Sequence, residues 1–378
     1  MLALLLTVLM VQEGDDLTHY VHRAEPDYRF QKLGSEFLLT SQRWQSILWK
    51  HRVSISVPRR SAHTKVMVLL VTGDDAGRVD TLYSQAIADA SGMAVATVFQ
   101  VPNQPLFSEK EDGLIALSFQ RYLETGDSTW PLLLPMTKTV VKAMDGLEKQ
   151  FGVKKFIVTG ASKRGWTTWL SAATGDPRIA GIAPMVFDNL NFIEQLKHQR
   201  ELWGHLSPML ADYSGRDLPE VVSSEEGRKL VDLVDPFSYL DKIKVPTLII
   251  NGSNDPYWAV DALSKYWYSL RQPKSLLVSP NKGHNLGDTE VATLGAFARS
   301  VAGEYQWPTF SNGTYQVPKG LNLIDKYTWS ARSTDFDFTK EKWSHHPVTG
   351  RGTASFTEYV FAAKGLKFRL SGPVKLQR

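Results

Sequence analysis

Apolar residues run along the chain in two rhythms, and each rhythm predicts a different element. Residues 65–71, 93–99, 155–158, 179–187, 245–250 and 275–278 are nearly continuous apolar runs rich in Val, Ile and Leu. Runs of that length without a polar face suit strands buried on both sides of a parallel sheet. Residues 49–57 alternate apolar and polar as far as Pro58, which predicts a strand with one wet face. Between the runs, residues 81–90, 112–124, 134–150, 166–173, 260–270 and 289–302 keep a helical spacing. Strands alternating with helices predict an α/β fold, a mainly parallel sheet flanked by helices on both faces. Right-handed crossovers then gather the strands' carboxyl ends along one edge, where sheets of this kind bind ligands.

The alternation pauses between residues 189 and 240, a long, polar, helix-prone stretch with no strand pattern. An insertion there predicts a helical lid over the sheet edge, a common seat of substrate selection. From residue 303 short alternating stretches such as 327–332 and 353–361 take over, predicting a small β-rich C-terminal module over 303–378. The main domain is thereby expected over 18–302. Residues 1–11 are apolar and lead into Gln12-Glu13-Gly14-Asp15-Asp16. That run is long enough for the core of an export signal and too short to span a bilayer. No Lys or Arg precedes it and no small-residue cleavage site follows. A signal peptide over 1–17, hence a secreted protein, is the expectation; a buried terminal segment or a truncated gene model are the other readings. No other run approaches membrane length. Asn312-Gly313-Thr314 and Asn251-Gly252-Ser253 are glycosylation sequons, the second at a strand end where a glycan is not expected.

Composition narrows the function classes. With 43% hydrophobic and 22% charged residues the 378-residue chain has ample material for a core. A net charge of +4, with no basic stripe interleaved with aromatics, gives no case for nucleic acid. The absence of cysteine excludes disulfides, thiolate metal sites and a cysteine nucleophile. His345-His346 lacks acidic or further histidine partners at metal spacing, so no metal and no cofactor is expected.

The chemistry concentrates at one turn. The apolar run 155–158 enters Thr159-Gly160-Ala161-Ser162-Lys163-Arg164-Gly165, and a helical stretch leaves it. Strand, serine and helix in that order describe a nucleophile elbow, here with Arg164 where a second glycine usually stands and Gly165 one place later. A serine hydroxyl needs a base to take its proton as it attacks. His284, past the last predicted strand, is the candidate base. Asp255, past the strand before it, is the candidate acid that orients the imidazole and stabilises its charged form. Ser162, Asp255 and His284 all fall just beyond strand ends, so the fold gathers them on one edge. Asp188, after the strand at 179–187, is the rival acid. For the oxyanion, one donor is expected from the backbone N–H of Lys163, at the start of the elbow helix. The second is expected from the loop after residue 71, from Gly73 or Asp74, with the side chains of Asp74 and Asp75 turned outward. The Lys163 side chain either adds charge to that hole or is a solvated helix-start lysine. Arg164 binds a carboxylate, anchors the lid, or packs. Trp166, Trp169, Trp203, Trp258 and Trp267 are candidates to line a pocket or fill the core.

With these residues placed, the chain resembles the PhoPQ-activated pathogenicity-related family, which includes autocrine proliferation repressor-like proteins. The resemblance lies in residues 20–28, 41–44, 49–51, 160–170, 184–191 and 251–258, and its most specific string is Ser162-Lys163-Arg164-Gly165-Trp166. It implies an α/β-hydrolase fold and, because many members carry an export signal, secretion. It implies no defined substrate. The family leads one to expect a more glycine-rich loop than Gly73-Asp74-Asp75. Glucuronoyl esterases are similar in one local respect, a serine followed by a cationic residue with glycine at the third place. The expected function is a secreted serine hydrolase that cleaves an ester or amide of a small molecule, peptide or carbohydrate through an acyl-enzyme. The alternative is a catalytically inactive secreted signalling or binding protein on the same scaffold, recognised by a protein receptor.

Overall fold

Alternate residues of each central strand divide between two hydrophobic cores, one on each face of a single sheet. The computed structural model describes residues 16–60, 63–73, 77–287, 289–347 and 349–378. The sheet contains β1 (Arg29–Leu33), β2 (Glu36–Trp44), β3 (Ile47–Ser56), β4 (Val66–Val71), β5 (Ala94–Val98), β6 (Lys155–Ala161), β7 (Ile179–Met185), β8 (Thr247–Gly252) and β9 (Lys274–Ser279). Their order is β1-β2-β3-β5-β4-β6-β7-β8-β9. β1, β2 and β3 pair antiparallel, as do β3 and β5; from β5 to β9 every pairing is parallel. In β4, Met67, Leu69 and Val71 face one core while Val68 and Leu70 face the other. This is why the central strands read as continuous apolar runs: both faces are dry.

Helices α1 (Asp16–His22), α2 (Arg78–Ser91), α3 (Glu111–Thr125), α4 (Leu133–Phe151), α5 (Lys163–Ala173), α6 (Phe192–Trp203), α7 (Ala211–Ser214), α8 (Leu218–Val221), α9 (Glu225–Val234) and α10 (Thr289–Val301) complete the main body. Residues of α3, α4 and α5 fill one core, and residues of α2 and α10 the other. The segment 189–240 contains α6 to α9 and short 3-10 turns, with no strand among its residues. The leader expected over 1–17 falls mostly outside the described residues. Its last two positions, Asp16 and Leu17, belong to α1, and Leu17 is buried. Among the described residues no helix is long and apolar enough to cross a membrane.

Two stretches differ from expectation. Residues 260–270, read as a helix, form two 3-10 turns, Ala262–Lys265 and Trp267–Ser269. The break falls at Tyr266, whose backbone (φ −142°, ψ −17°) leaves the helical region while its ring and that of Trp267 are buried. Residues 20–48, mixed in polarity and rich in aromatic side chains, contain two strands of the main sheet that no apolar run announces. In β2 the register shifts between Thr40 and Gln42, and buried Thr40, Ser41 and Gln42 hide the alternation that a strand normally displays.

After α10 the chain forms β10 (Thr309–Ser311) and β11 (Thr314–Gln316), then an antiparallel sheet of β12 (Asn322–Arg332), β13 (Thr353–Ala363), β14 (Leu366–Ser371) and β15 (Lys375–Gln377). This unit covers the β9 edge of the main sheet. The Leu276 N–H donates to the Tyr315 hydroxyl at 3.0 Å, and the Val278 N–H to Ser371 Oγ at 3.0 Å. An open strand edge is thereby closed by side chains rather than left to pair with another chain.

Candidate active site

The elbow depends on close approach. Ser162 sits between β6 and α5 at φ 58°, ψ −124°, a conformation few non-glycine residues adopt. A Cβ on Gly160 would lie 2.7 Å from Arg164 Cβ, and one on Gly165 would lie 2.6 Å from the Met185 carbonyl oxygen. Both glycines let α5 turn back tightly over β6 and β7. The Ser162 N–H is held by the Met185 carbonyl at 2.9 Å, so the strained residue is anchored from the neighbouring strand.

His284 follows β9 and Asp255 follows β8, and the three side chains meet. Ser162 Oγ lies 2.9 Å from His284 Nε2, and His284 Nδ1 lies 2.8 Å from Asp255 Oδ2. A carboxylate can only accept, so the Nδ1 proton points at Asp255 and the Nε2 lone pair faces the serine hydroxyl. Asp255 Oδ1 accepts the Tyr257 N–H at 3.0 Å, which fixes the carboxylate plane. The Tyr257 ring lies 4.3 Å from the imidazole, centroid to centroid.

The rival acid goes elsewhere. Asp188 is buried and accepts from the Tyr266 hydroxyl at 2.6 Å, not from His284. Burial pushes its carboxyl up to about 7; the charges of Asp255 and Asp261 act in the same direction, and the Tyr266 hydrogen bond opposes them.

Four polar residues beside Ser162 complete the site, and sequence reasoning missed their pairing. Lys163 Nζ lies 2.9 Å from Asp112 and 3.4 Å from Glu111. Arg164 is buried and grips Glu111 through two hydrogen bonds of 2.7 Å, while its Nε donates to the Val101 carbonyl. Burial pushes the Glu111 carboxyl up, but the bonds and charge of Arg164, Gln104 and Lys163 outweigh it and hold it at about 2. Asp112 also accepts from the hydroxyls of Tyr213 at 3.0 Å and Tyr257 at 3.3 Å. The Lys163 side chain is therefore neither solvated nor unpaired, and Arg164 binds a carboxylate of its own chain. The available signal was the acidic pair at the start of the helix predicted over 112–124: two adjacent cations at the elbow need counter-charges if they are buried.

Gly73 lies where Arg164 passes. A Cβ there would sit 1.7 Å from Arg164 Nη2, so only glycine leaves room for the guanidinium. Asp74 and Asp75 lie outside the described residues. Of the tryptophans, Trp166 and Trp258 line the cavity described below, Trp169 and Trp267 are buried in the core, and the Trp203 indole donates to the Phe336 carbonyl. His345 packs against the rings of Tyr327 and Trp329. Among the described residues no group of three or more His, Asp or Glu side chains is placed to hold a metal ion. Asn251 is buried at the end of β8, whereas Asn312 is exposed in the turn between β10 and β11.

A solvent-open cavity of about 810 Å³ begins at Ser162 and Lys163 and runs under segment 189–240. Its walls are mostly apolar, from Trp166, Phe187, Phe192, Leu210, Leu230 and Val231, with Asp112, Tyr213 and Tyr257 near Lys163. A smaller cavity of about 530 Å³ touches Asp255, Asp188, Asn251 and Phe338, and Ser162 is not on its wall. The acid loop also reaches the C-terminal sheet region. Asn254 Nδ2 donates to the carbonyls of Phe338 and Glu341, both at 2.7 Å, and Asn281 exchanges hydrogen bonds with the Trp343 backbone.

A parallel sheet with an antiparallel start, a serine elbow after β6 and loops converging at the strand ends constitute an α/β-hydrolase fold. Two solved structures with this fold are similar to the chain. The acetyl xylan esterase from Paenibacillus sp. R4 has a TM-score of 0.56 at 15% identity, covering 76% of this chain and 92% of that one. Acetyl xylan esterase 1 from Thermoanaerobacterium sp. JW/SL YS485 has a TM-score of 0.54 at 15% identity, covering 76% and 94%. Within that class the chain belongs to the PhoPQ-activated pathogenicity-related protein family, whose profile matches residues 10–335. A curated relative, autocrine proliferation repressor protein A of Dictyostelium discoideum, is 33% identical over 299 residues, 72% of this chain. The chain spans about 60% of that relative's length.

Proposed function

We propose that the protein is a serine hydrolase that cleaves a carboxylic ester or amide through an acyl-enzyme. The observation that supports this is the continuous hydrogen-bonded line from Ser162 Oγ through His284 to Asp255, opening on a cavity. Ser162 Oγ attacks the substrate carbonyl carbon while His284 Nε2 takes the hydroxyl proton. The tetrahedral intermediate collapses, the carbonyl re-forms, and His284 returns that proton to the departing alcohol or amine. Water then attacks the acyl-enzyme by the same route, releasing the carboxylic acid and restoring Ser162. Asp255 holds the imidazole tautomer and stabilises its charged form. The oxyanion is held by the backbone N–H of Lys163, in the first turn of α5 where the helix leaves its N–H groups unpaired, and by that of Gly73. Lys163 and Arg164, neutralised by Glu111 and Asp112, shape the hole rather than charging it.

The test is labelling by a fluorophosphonate probe, comparing wild type with Ser162→Ala and His284→Ala. Labelling of wild type alone is the expected result. A folded wild type that does not label would exclude an activated Ser162. A second reading, a signalling or binding protein on this scaffold with a protein receptor, is favoured by the name of the Dictyostelium discoideum relative. It predicts that Ser162→Ala leaves the biological response unchanged. We further propose export, on the apolar run at residues 1–11; N-terminal sequencing of protein recovered outside cells of the native host checks it.

A further inference from the structure

We propose that the cavity beside Ser162 is an acyl pocket, and that the substrates are esters or amides of an uncharged, apolar acyl group longer than acetyl. This deepens the serine-hydrolase reading and rests on it. Direction is the first argument. His284 must return its proton to the leaving atom, so the leaving group lies on the imidazole side of Ser162. The cavity wall includes Ser162, Lys163 and Tyr257, and neither His284 nor Asp255 is part of it. The Tyr257 ring, on the cavity wall, lies 4.3 Å from the His284 ring, centroid to centroid. The space under segment 189–240 therefore receives the part of the substrate that points away from the leaving group, which is the acyl chain.

Chemistry is the second argument. Beyond its mouth the cavity presents rings and aliphatic side chains, among them Phe192, Leu196, Leu210, Leu230 and Val231. The charged and hydroxyl groups at the mouth already engage one another. Lys163 is paired with Asp112 and Glu111, and the hydroxyls of Tyr213 and Tyr257 both donate to Asp112. Asn189 adds only an uncharged amide. Such a wall offers an anionic or polyhydroxylated acyl group no replacement for its lost hydration, whereas an apolar chain gains by leaving water. Reach is the third argument: the lining extends from Ser162 to Leu230, Val231 and Val234 of α9, far beyond what one methyl group would occupy.

The experiment measures kcat/KM for p-nitrophenyl esters from acetyl to decanoyl, and in parallel for acetate esters of lengthening alcohols. Diisopropyl fluorophosphate serves as a size-tolerant check on Ser162. The expected result is a rise of roughly threefold to fourfold per added acyl methylene until the cavity is full, with a flat alcohol series. Leu196→Trp, at a half-buried position on the wall, moves the optimum to shorter acyl chains; Val222→Phe serves the same purpose if that variant does not fold. Labelled protein that prefers acetate, shows its gradient only in the alcohol series, or keeps its acyl profile in the wall variant overturns the acyl-pocket inference and leaves the hydrolase reading standing. Folded protein that neither labels nor turns over any ester overturns both.

Discussion

Among the described residues two hydrogen bonds join a serine hydroxyl to a histidine ring, and their surroundings give them opposite characters. Ser41 Oγ lies 3.1 Å from His51 Nε2, close to the 2.9 Å between Ser162 Oγ and His284 Nε2. In both pairs the histidine Nδ1 is the donor and Nε2 faces the hydroxyl. At His51, however, Nδ1 points at the backbone carbonyls of Phe99 and Gln100, at 3.2 and 3.0 Å, rather than at a carboxylate. A carbonyl fixes the tautomer but carries no charge to stabilise an imidazolium. Burial lowers the His51 ring to about 4, its two carbonyl bonds opposing only in part. Ser41 and His51 are sealed in the core with Thr139, whereas Ser162 stands at the wall of an open cavity. A serine and a histidine in contact thus make a structural pin in one place; at the proposed nucleophile they are joined by a carboxylate and stand beside an open cavity.

The largest effect that sharpens this contrast comes from the serines. Ser162→Ala should lower ester turnover about 10⁶-fold and abolish fluorophosphonate labelling, while Ser41→Ala should leave labelling intact. Labelling lost in Ser41→Ala and retained in Ser162→Ala would reverse the assignment. Next come the acids. Asp255→Asn should cost about 10⁴-fold in kcat by presenting the wrong tautomer partner, and Asp188→Asn should not. An Asp188→Asn loss as large as that of Asp255→Asn would mean that the wrong carboxylate orients His284.

A smaller loss is expected at the loop after β4. Gly73→Ala places a methyl on the Arg164 guanidinium and shifts either the loop or the elbow, for a loss of about 10²-fold in kcat with KM less affected. Equal activity in that variant would remove Gly73 from the oxyanion hole and from the packing argument together. Asp188→Asn has its own signature in stability. The folded carboxyl titrates at about 7, above the ordinary value near 4. Its contribution to stability is therefore complete below about pH 4 and lost as pH rises through about 7. Urea unfolding at pH 5 and pH 8 should show a smaller drop for Asp188→Asn than for wild type; an identical drop would show that Asp188 does not titrate there. Asp235, also buried and raised to about 7, leaves a residual slope in the same direction. Least of all, Ser41→Ala should cost about 1–2 kcal/mol of stability, read from the same urea curves.

The contrast also explains what the sequence disclosed. The parallel strands were legible because a strand dry on both faces has no polar positions to confuse the reading. Ser162, Asp255 and His284 were legible as positions, because chain order places loops at one sheet edge. The strand that bears Ser41 was not legible: its bulge and buried polar residues satisfy one another across more than ninety residues of chain, through Thr139 and the Pro135 carbonyl. The pairing of Glu111 and Asp112 with Lys163 and Arg164 was hidden for the same reason, since a long-range ion pair leaves no local period. Asp255 was preferred to Asp188 on chain order alone; side-chain direction, which chain order does not contain, turns Asp255 to His284 and Asp188 to Tyr266. The helix read over 260–270 failed because two large rings, Tyr266 and Trp267, are buried there and packing overrode helical spacing.

The bonds from Asn254 to the carbonyls of Phe338 and Glu341 have an evolutionary consequence. The residue next to the acid is tethered to a segment more than eighty positions later, and the β9 edge is closed by Tyr315 and Ser371 from the same trailing region. A recombination that exchanged the tail after α10 for another domain would loosen the loop that carries Asp255. The segment after α10 is therefore part of what holds the Asp255 loop in place, not a separable appendage.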